Sequence, residues 1–315
     1  MRHVRMLMVV VAAMAMALVG ATSAMAETTQ EKAQWQAFAN CPFHEFGGQE
    51  GHEITICPWA QSSYKERWSS KKEREAYESA HGTPAGLLSH FSAGNISVAL
   101  KLPITLKGGA AEKEVEGQVF EWVGAKGSPT IQPVAQAGPS LAREVNKADL
   151  SAAELARYTY YRNIARETRT TATVELAGPA TNIKLDLAAL LEGVGTAFSF
   201  PVKVKLGNKF FGDNCYVGSD EHPIVVNFTT GTAGELQGKL GNLSFNPEGT
   251  ILTVWGDTLV ASGFASPGVE NCGVEGGADA AMDAAIGLPS ASNTSVLNGV
   301  LKQTGSEEAI EHLGI

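Results

Sequence analysis

The sequence lacks an apolar run long enough to cross a bilayer comfortably, since its longest run, Met6–Leu18, is only about 13 residues. Two arginines precede this run, and Ala24 and Ala26 form a small-x-small pattern after it. Both features are typical of a secretory signal peptide. We expect residues 1–26 to be the signal peptide, with Ala24 and Ala26 as its cleavage-site residues. The protein is therefore predicted to be secreted, either extracellular or associated with the cell envelope.

The sequence also lacks an excess of basic residues. It has 24 Lys and Arg residues and 33 Asp and Glu residues, which gives a net charge of −9. Removing the signal peptide takes away two arginines and no acidic residue, so the net charge becomes −11. An acidic chain has no electrostatic footprint for nucleic acid and no polybasic patch for anionic lipids. No second apolar stretch approaches 18 residues. We predict no nucleic-acid partner and no transmembrane segment after signal removal.

The motifs of common catalytic classes are missing as well. The sequence contains no G-x-S-x-G nucleophile elbow, no H-E-x-x-H zinc motif, no P-loop and no EF-hand calcium loop. His44, Glu45, His52 and Glu53 lie close together and are candidates for a metal site. A polar, solvated hairpin is the preferred interpretation, because no metal-binding motif accompanies them. We therefore predict no cofactor and no metal, assign no catalytic residue and favour a non-enzymatic function.

Cysteine is scarce, with four residues, and all of them follow the predicted signal peptide. Exported thiols meet an oxidising environment, so we predict two disulfides. Three pairings are possible, and proximity in the sequence favours Cys41 with Cys57 and Cys215 with Cys272. No C-x-x-C pair is present and the spacings do not suit zinc. Structural disulfides are therefore preferred over a metal site.

Alternation of apolar and polar residues with a period of two dominates the rest of the chain and favours antiparallel sheets. The clearest segments are Ser97–Lys107, predicted as one long strand with Pro103 at a bulge or edge, Phe198–Leu206 and Ile224–Phe228. Weaker strand candidates are Val115–Val123, Thr173–Leu176, Ile183–Leu187 and Ile251–Phe264. The predicted fold class is mainly β, with antiparallel β-sandwich-like sheets, a few short helices and two disulfides.

Three segments predict short helices. Capping-box patterns begin at Ser70 and Ser151, and the alanine-rich segment Ala278–Ile286 is followed by Gly287 and Pro289. Prolines between residues 126 and 139 indicate a linker or long loop. The predicted domains are the signal peptide at 1–26, an N-terminal β unit with a short charged helix at 27–135, a linker and helix at 136–165, and a C-terminal β unit at 166–315.

Several polar residues are candidates for general acid–base chemistry. Asp213, Asp220 and Glu221 lie near turns, and His222 precedes Pro223 in a loop before a strand. Catalysis would require a specific geometry, so solvated charges are the preferred interpretation. The predicted linker helix contributes three tyrosines, Tyr158, Tyr160 and Tyr161. They could form an aromatic binding face, but packing of the helix against a sheet is preferred.

The segment around Cys215 carries a more specific pattern, Asn214-Cys215-Tyr216-Val217-Gly218-Ser219, followed by Pro223–Gly231. Further segments accompany it: Cys41-Pro42, Pro103–Gly109, Pro201–Leu206, Gly287–Ser290 and Asn298-Gly299. Together they resemble a family of uncharacterised secreted proteins from actinobacteria with a Cys-Tyr-x-Gly-Ser signature. The resemblance implies secretion and paired cysteines, and it implies no activity, ligand or catalytic residue.

The sequence thus predicts a secreted, disulfide-linked β protein with three candidate functions. The favoured one is a non-enzymatic structural or adhesive role in the extracellular space or cell envelope. The alternative is a carrier of an apolar, lipid-like ligand, because long one-sided strands can enclose a cavity as well as a packed core. The third candidate is a secreted hydrolase, since a fold does not reveal its sites.

Overall fold

The computed structural model describes residues 34–39, 41, 56–63, 89–115, 119–124, 130–137, 151–156, 159–160, 170–208 and 211–313. The fold is mainly β with antiparallel sheets, few short helices and two disulfides, which confirms the predicted class. The first nine strands, β1 to β9, are Ile56–Ser63, His90–Ala93, Ile96–Ala99, Thr105–Lys107, Ala110–Val115, Val119–Gly124, Thr130–Gln132, Ala135–Ala137 and Thr171–Leu176. Strands β10 to β19 are Lys184–Asp186, Phe198–Gly207, Tyr216–Val217, Ile224–Phe228, Thr232–Ala233, Leu236–Gln237, Asn242–Phe245, Ile251–Ser266, Val269–Glu270 and Ser290–Gly305.

Three α-helices lie within the described residues 170–313: α1 (Leu187–Glu192), α2 (Asp279–Ile286) and α3 (Ser306–Leu313). Short 3-10 helices occupy Gln36–Phe38, Ala180–Asn182 and Val274–Gly276. Helix α1 begins where the Asp186 carboxylate accepts a hydrogen bond of 2.9 Å from the Ala189 N–H, as an N-cap does. Helix α2 confirms the prediction from the alanine-rich segment.

The capping box predicted at Ser151 is also present. The Ser151 N–H donates to Glu154 Oε2 at 2.9 Å, and the Glu154 N–H donates to Ser151 Oγ at 3.4 Å. Helical residues follow at 152–156 and 159–160. The signal peptide at 1–26 and the charged helix predicted from Ser70 lie outside the described residues.

Eight of the described strands are paired in a closed ring. Strand β11 pairs with β13, the Thr229–Val260 bridge joins the end of β13 to β17, and β17 pairs with β19. Strand β19 pairs with β1, β1 with β5, β5 with β6, β6 with β10, and β10 returns to β11. We call these eight strands the closed ladder. A sheet that closes on itself encloses an interior, which side chains fill or a small ligand occupies.

The closed ladder combines strands from both predicted β units. Strand β1 runs antiparallel to β19 over eight residue pairs, from Ile56 opposite Gly305 to Ser63 opposite Asn298. Strand β6 likewise pairs with β10. The predicted linker at 136–165 therefore does not separate two independent sheets. The paired segments contribute to one continuous structure.

The prediction of a single strand over Ser97–Lys107 is wrong. Strand β3 ends at Ala99 and β4 begins at Thr105, because Pro103 has no N–H to donate to a ladder. The backbone of Leu102 pairs instead with the buried side chain of Gln136, whose Oε1 accepts from the Leu102 N–H at 2.9 Å and whose Nε2 donates to the Leu102 carbonyl at 2.8 Å. Leu102 is consequently 50% exposed rather than in the core.

Other strand predictions hold. Ile224–Phe228 is β13, and its residues alternate strictly between buried and exposed. Phe198–Leu206 lies within β11, and Ile251–Phe264 lies within the 16-residue strand β17. The candidate Val115–Val123 is wrong as one strand, since β5 ends at Val115 and β6 begins at Val119. The two strands pair as a hairpin.

Both predicted disulfides are present. Cys41 and Cys57 have Cα atoms 5.7 Å apart, and the bond ties the segment before β1 to that strand. Their sulfurs lie in a small apolar cluster with Trp35, Phe38 and Ala309. Cys215 and Cys272 have Cα atoms 4.2 Å apart and are fully buried beside the β12–β18 pairing. The first disulfide therefore joins a segment outside the sheet to β1, and the second reinforces the short pairing of β12 with β18.

Removal of each disulfide is expected to lower stability in proportion to the loop that it closes. The loops span 57 and 16 residues, so the entropy of the unfolded chain predicts losses of roughly 4 kcal/mol for Cys215→Ala with Cys272→Ala and roughly 3 kcal/mol for Cys41→Ala with Cys57→Ala. Urea unfolding of the two double variants measures both. A larger loss for the 41–57 pair would contradict the loop-closure account.

Candidate functional site

A cavity of about 120 Å³ lies inside the closed ladder. Its lining comes from all eight strands of the ladder, from the neighbouring strands β2, β4, β7 and β9, and from helix α1. It includes members of the two largest buried clusters. Most of the lining residues are aliphatic or aromatic. The cavity is therefore an apolar space between two parts of the core.

Three phenylalanines form one wall of the cavity. Phe198 and Phe200 lie on the same side of β11, with ring centroids 4.9 Å apart. Phe228 of β13 stacks on Phe200 with a centroid distance of 5.6 Å and an interplanar angle of 16°. The register explains the wall, since Phe198 is paired directly with Phe228 across the two strands. The period-two pattern that buries these strands therefore also builds the wall.

Five of the described lining residues have polar side chains, and four of them have hydrogen-bond partners. Gln61 donates to Thr105, Ser62 accepts from the Ile104 N–H, Ser295 donates to the His90 carbonyl, and Asn298 accepts from Thr258. The fifth is Asp257. Its Oδ1 atom is buried and has no hydrogen-bond partner among the described residues. The polar groups of the cavity are thus satisfied except at this carboxyl.

A β-bulge places Asp257 in the interior. Trp255 is opposite Val300 and Thr258 is opposite Asn298, so two residues of β17 face the single residue Gly299 of β19. The first of the two, Gly256, has a φ of +73°, which is the geometry of a bulge that requires glycine in the left-handed region. The bulge shifts the alternation of β17, and Asp257 becomes buried next to Thr258.

Burial raises the pKa of Asp257 to about 7, because the charged form loses its hydration. A hydrogen bond from its own backbone N–H and the positive charge of Lys239 oppose this rise. Lys239 lies next to the bulge, since its backbone pairs with Thr258 on the other side of β17. The site therefore holds a carboxyl that changes its charge near neutral pH inside an apolar space.

No sequence motif marks Asp257 as a functional residue. Its only signal is an acidic residue directly after glycine within the apolar segment Ile251–Phe264, and the same dipeptide is also typical of an exposed turn. The pairing with β19 decides between these alternatives.

The predicted acid–base candidates lie elsewhere, around an open polar cleft of about 530 Å³ beside the Cys215–Cys272 disulfide. Asp213 and Asp220 both line this cleft and are exposed. Both carboxylate oxygens of Asp220 accept hydrogen bonds of 2.9 Å from Lys203 Nζ. The Gly178 N–H adds another of 3.0 Å. These contacts, led by Lys203, lower the pKa of Asp220, so this group stays ionised at neutral pH and cannot serve as a general acid there.

His222 and Glu221 also flank this region and are exposed. His222 Nδ1 lies 3.5 Å from Glu270 Oε1, and the His222 N–H donates to Ser219 Oγ at 3.1 Å. Across the cleft, the Tyr216 hydroxyl donates to Glu175 at 3.3 Å, and burial followed by the Glu175 charge raises the pKa of this tyrosine. These contacts fix the loop between β12 and β13.

The other candidate residues named from the sequence are exposed or lie outside the described residues. Tyr160 is 62% exposed, so the preferred interpretation that it packs against a sheet is wrong. Tyr158 and Tyr161 lie outside the described residues, as do His44, Glu45, His52 and Glu53. The cleavage-site residues Ala24 and Ala26 lie outside them too. The described part of the chain holds no group of three or more His, Cys, Asp or Glu residues arranged for a metal ion. None of the helices described is long and apolar enough to span a membrane.

The substitution Asp257→Asn is expected to stabilise the protein at alkaline pH. The wild-type carboxyl has a pKa of about 7 when folded and about 3.9 when unfolded. The stability that comes from its neutral form is therefore present below about pH 4 and lost as the pH rises to about 7. Asparagine stays neutral, so the variant should be more stable by roughly 4 kcal/mol at pH 9 and nearly equal in stability at pH 4.

Urea unfolding of both proteins at the two pH values measures this difference, and an NMR titration of the Asp257 carboxyl carbon gives the midpoint directly. An advantage for the variant that is the same at pH 4 and pH 9 would contradict a carboxyl that is buried in its neutral form.

Comparisons with known proteins add no further constraint. No protein-family model, curated protein or solved structure matches the chain. The resemblance to the actinobacterial family stays a prediction from its motifs. Function must therefore be inferred from the cavity and the carboxyl within it.

Proposed function

We propose that the protein binds a small apolar ligand in the cavity of the closed ladder and acts as its carrier. The observation that carries this proposal is an apolar space of about 120 Å³ with a wall of phenylalanines. Ligand sites are typically concave and mostly apolar with a few placed polar groups. The Asp257 carboxyl provides such a group.

Filling the cavity with an apolar group would be favourable. Protein interiors are close-packed, and residual cavities cost about 24 cal/mol per Å³. By that measure the cavity, about 120 Å³ in volume, costs roughly 3 kcal/mol. A bound apolar group would recover part of this free energy through dispersion contacts with the phenylalanines.

The size of the cavity limits what fits inside it. An engineered cavity of about 150 Å³ binds benzene, so the described space suits one aromatic ring or a short branched alkyl group. A long acyl chain would have to extend beyond it. The ligand class is therefore a small apolar molecule or the apolar end of a larger one.

Two disulfides support a location outside the reducing cytoplasm, and we propose that the carrier is secreted. The structural or adhesive role predicted from the sequence stays a prediction, as does the secreted hydrolase. The ion pair of Asp220 with Lys203 weighs against this carboxyl as the general acid of a hydrolase, because it holds Asp220 in its charged form.

Purified protein should release a recurrent, stoichiometric apolar compound when it is extracted with organic solvent and analysed by mass spectrometry. The substitution Ala60→Leu should abolish this binding, since Ala60 lines the cavity and leucine adds three carbon atoms into it. Toluene binding, measured by calorimetry, tests the same loss without the native ligand.

The matched control is Ala99→Leu, because Ala99 is also a half-buried strand residue but does not line the cavity. This variant should keep both the extracted compound and toluene binding. Equal binding by wild type and Ala60→Leu, with both proteins folded, would overturn the assignment of the ligand to this cavity.

A further inference from the structure

The acidic side chain of Asp257 is not required by the backbone that carries it. Strand β17 contains a second bulge of the same kind at Gly263, which has a φ of +72° and lies between the pairs Ser262–Thr294 and Phe264–Asn293. The residue after that glycine is Phe264, which is buried in the main core cluster. The same backbone geometry thus buries a phenylalanine in one place and a carboxyl in the other.

A buried carboxyl in an apolar space is unfavourable without partners. An unmade hydrogen bond leaves the full desolvation penalty of the group, and an apolar replacement of similar shape is often neutral or stabilising. The other polar side chains of the cavity already pair with neighbouring groups. The Oδ1 atom of Asp257 is therefore an acceptor that none of the described residues uses.

A ligand that donates a hydrogen bond would satisfy this acceptor. A hydroxyl group does so without bringing a second charge into the apolar space, whereas an ammonium group must also lose its own hydration. The phenylalanine wall accommodates an apolar body within the same cavity. The site therefore matches a molecule with an apolar body and one hydroxyl group.

We propose that the cavity is selective for an apolar alcohol, whose hydroxyl donates to the Asp257 carboxyl while its apolar body packs on Phe198, Phe200 and Phe228. This inference rests on the proposed function and names its ligand class. Asp257 acts as the specificity-determining residue, and the bulge at Gly256 places it.

Matched probes test the selectivity. Benzyl alcohol and toluene differ by one hydroxyl group, and calorimetry gives the Kd of each for wild type, Asp257→Leu and Asp257→Asn. The ratio of the two Kd values, alcohol over toluene, should rise by about tenfold from wild type to Asp257→Leu, since the hydroxyl group of the alcohol loses its buried acceptor. The hydration of the probes cancels in this comparison.

Asp257→Asn keeps the shape of the side chain and an acceptor oxygen, so its ratio of Kd values should lie between those of wild type and Asp257→Leu. If Asp257→Leu does not fold, the asparagine variant still tests the role of the carboxyl. Gly263→Ala strains the second bulge without touching the cavity and should leave the ratio of the two Kd values unchanged. Gly256→Ala displaces Asp257 and should shift the ratio against the alcohol.

The possible outcomes separate the two proposals. If wild type binds neither probe, the proposed function fails together with the inference. If it binds both and the ratio is the same in all variants, the carrier function stands and the role of Asp257 is overturned. Tighter binding of benzylamine than of benzyl alcohol, lost in Asp257→Leu, would overturn the alcohol in favour of a cation.

Discussion

Pairing along both edges of β19 is the constraint on which the rest of the structure depends. This 16-residue strand pairs with β17 on one side and with β1 and β2 on the other. Its buried polar side chains cross-link these neighbours: Asn293 donates to the Phe264 carbonyl, Ser295 to the His90 carbonyl and Thr304 to the Thr250 carbonyl. Buried polar groups usually find partners, so these bonds favour one register of β19 against β17 and β2, and its pairing with β1 closes the ladder.

The cavity follows from that register. With β19 fixed, the two extra residues of β17 at Gly256 and Gly263 have to bulge, and the residue after each glycine turns inward. One bulge completes the core with Phe264, and the other brings Asp257 to the cavity. Bulges commonly re-aim a side chain near functional sites. Here the same device serves packing in one place and, we propose, recognition in the other.

Sequence patterns predicted elements whose burial follows simple periodicity. Ile224–Phe228 alternates strictly and is a strand as predicted, and the cysteine pairs follow their proximity in the sequence. The pattern failed where distant partners override it. Leu102 continues the apolar alternation of its segment, yet Gln136 binds its backbone and leaves its side chain half exposed. Strand β19 was not predicted because polar residues such as Asn298 occupy its interior face.

Periodicity and cysteine spacing can be read without knowing the fold, and they predicted the β class, the favoured disulfide pairing and the strands that carry Phe198, Phe200 and Phe228. Long-range strand pairing, in contrast, is what brings strands from both ends of the chain into one ladder, leaves a cavity among them and places Asp257 in its lining. The reason is physical: whether an acidic residue after glycine is an exposed turn or a buried bulge depends on the strand opposite it, which lies about 40 residues away along the chain.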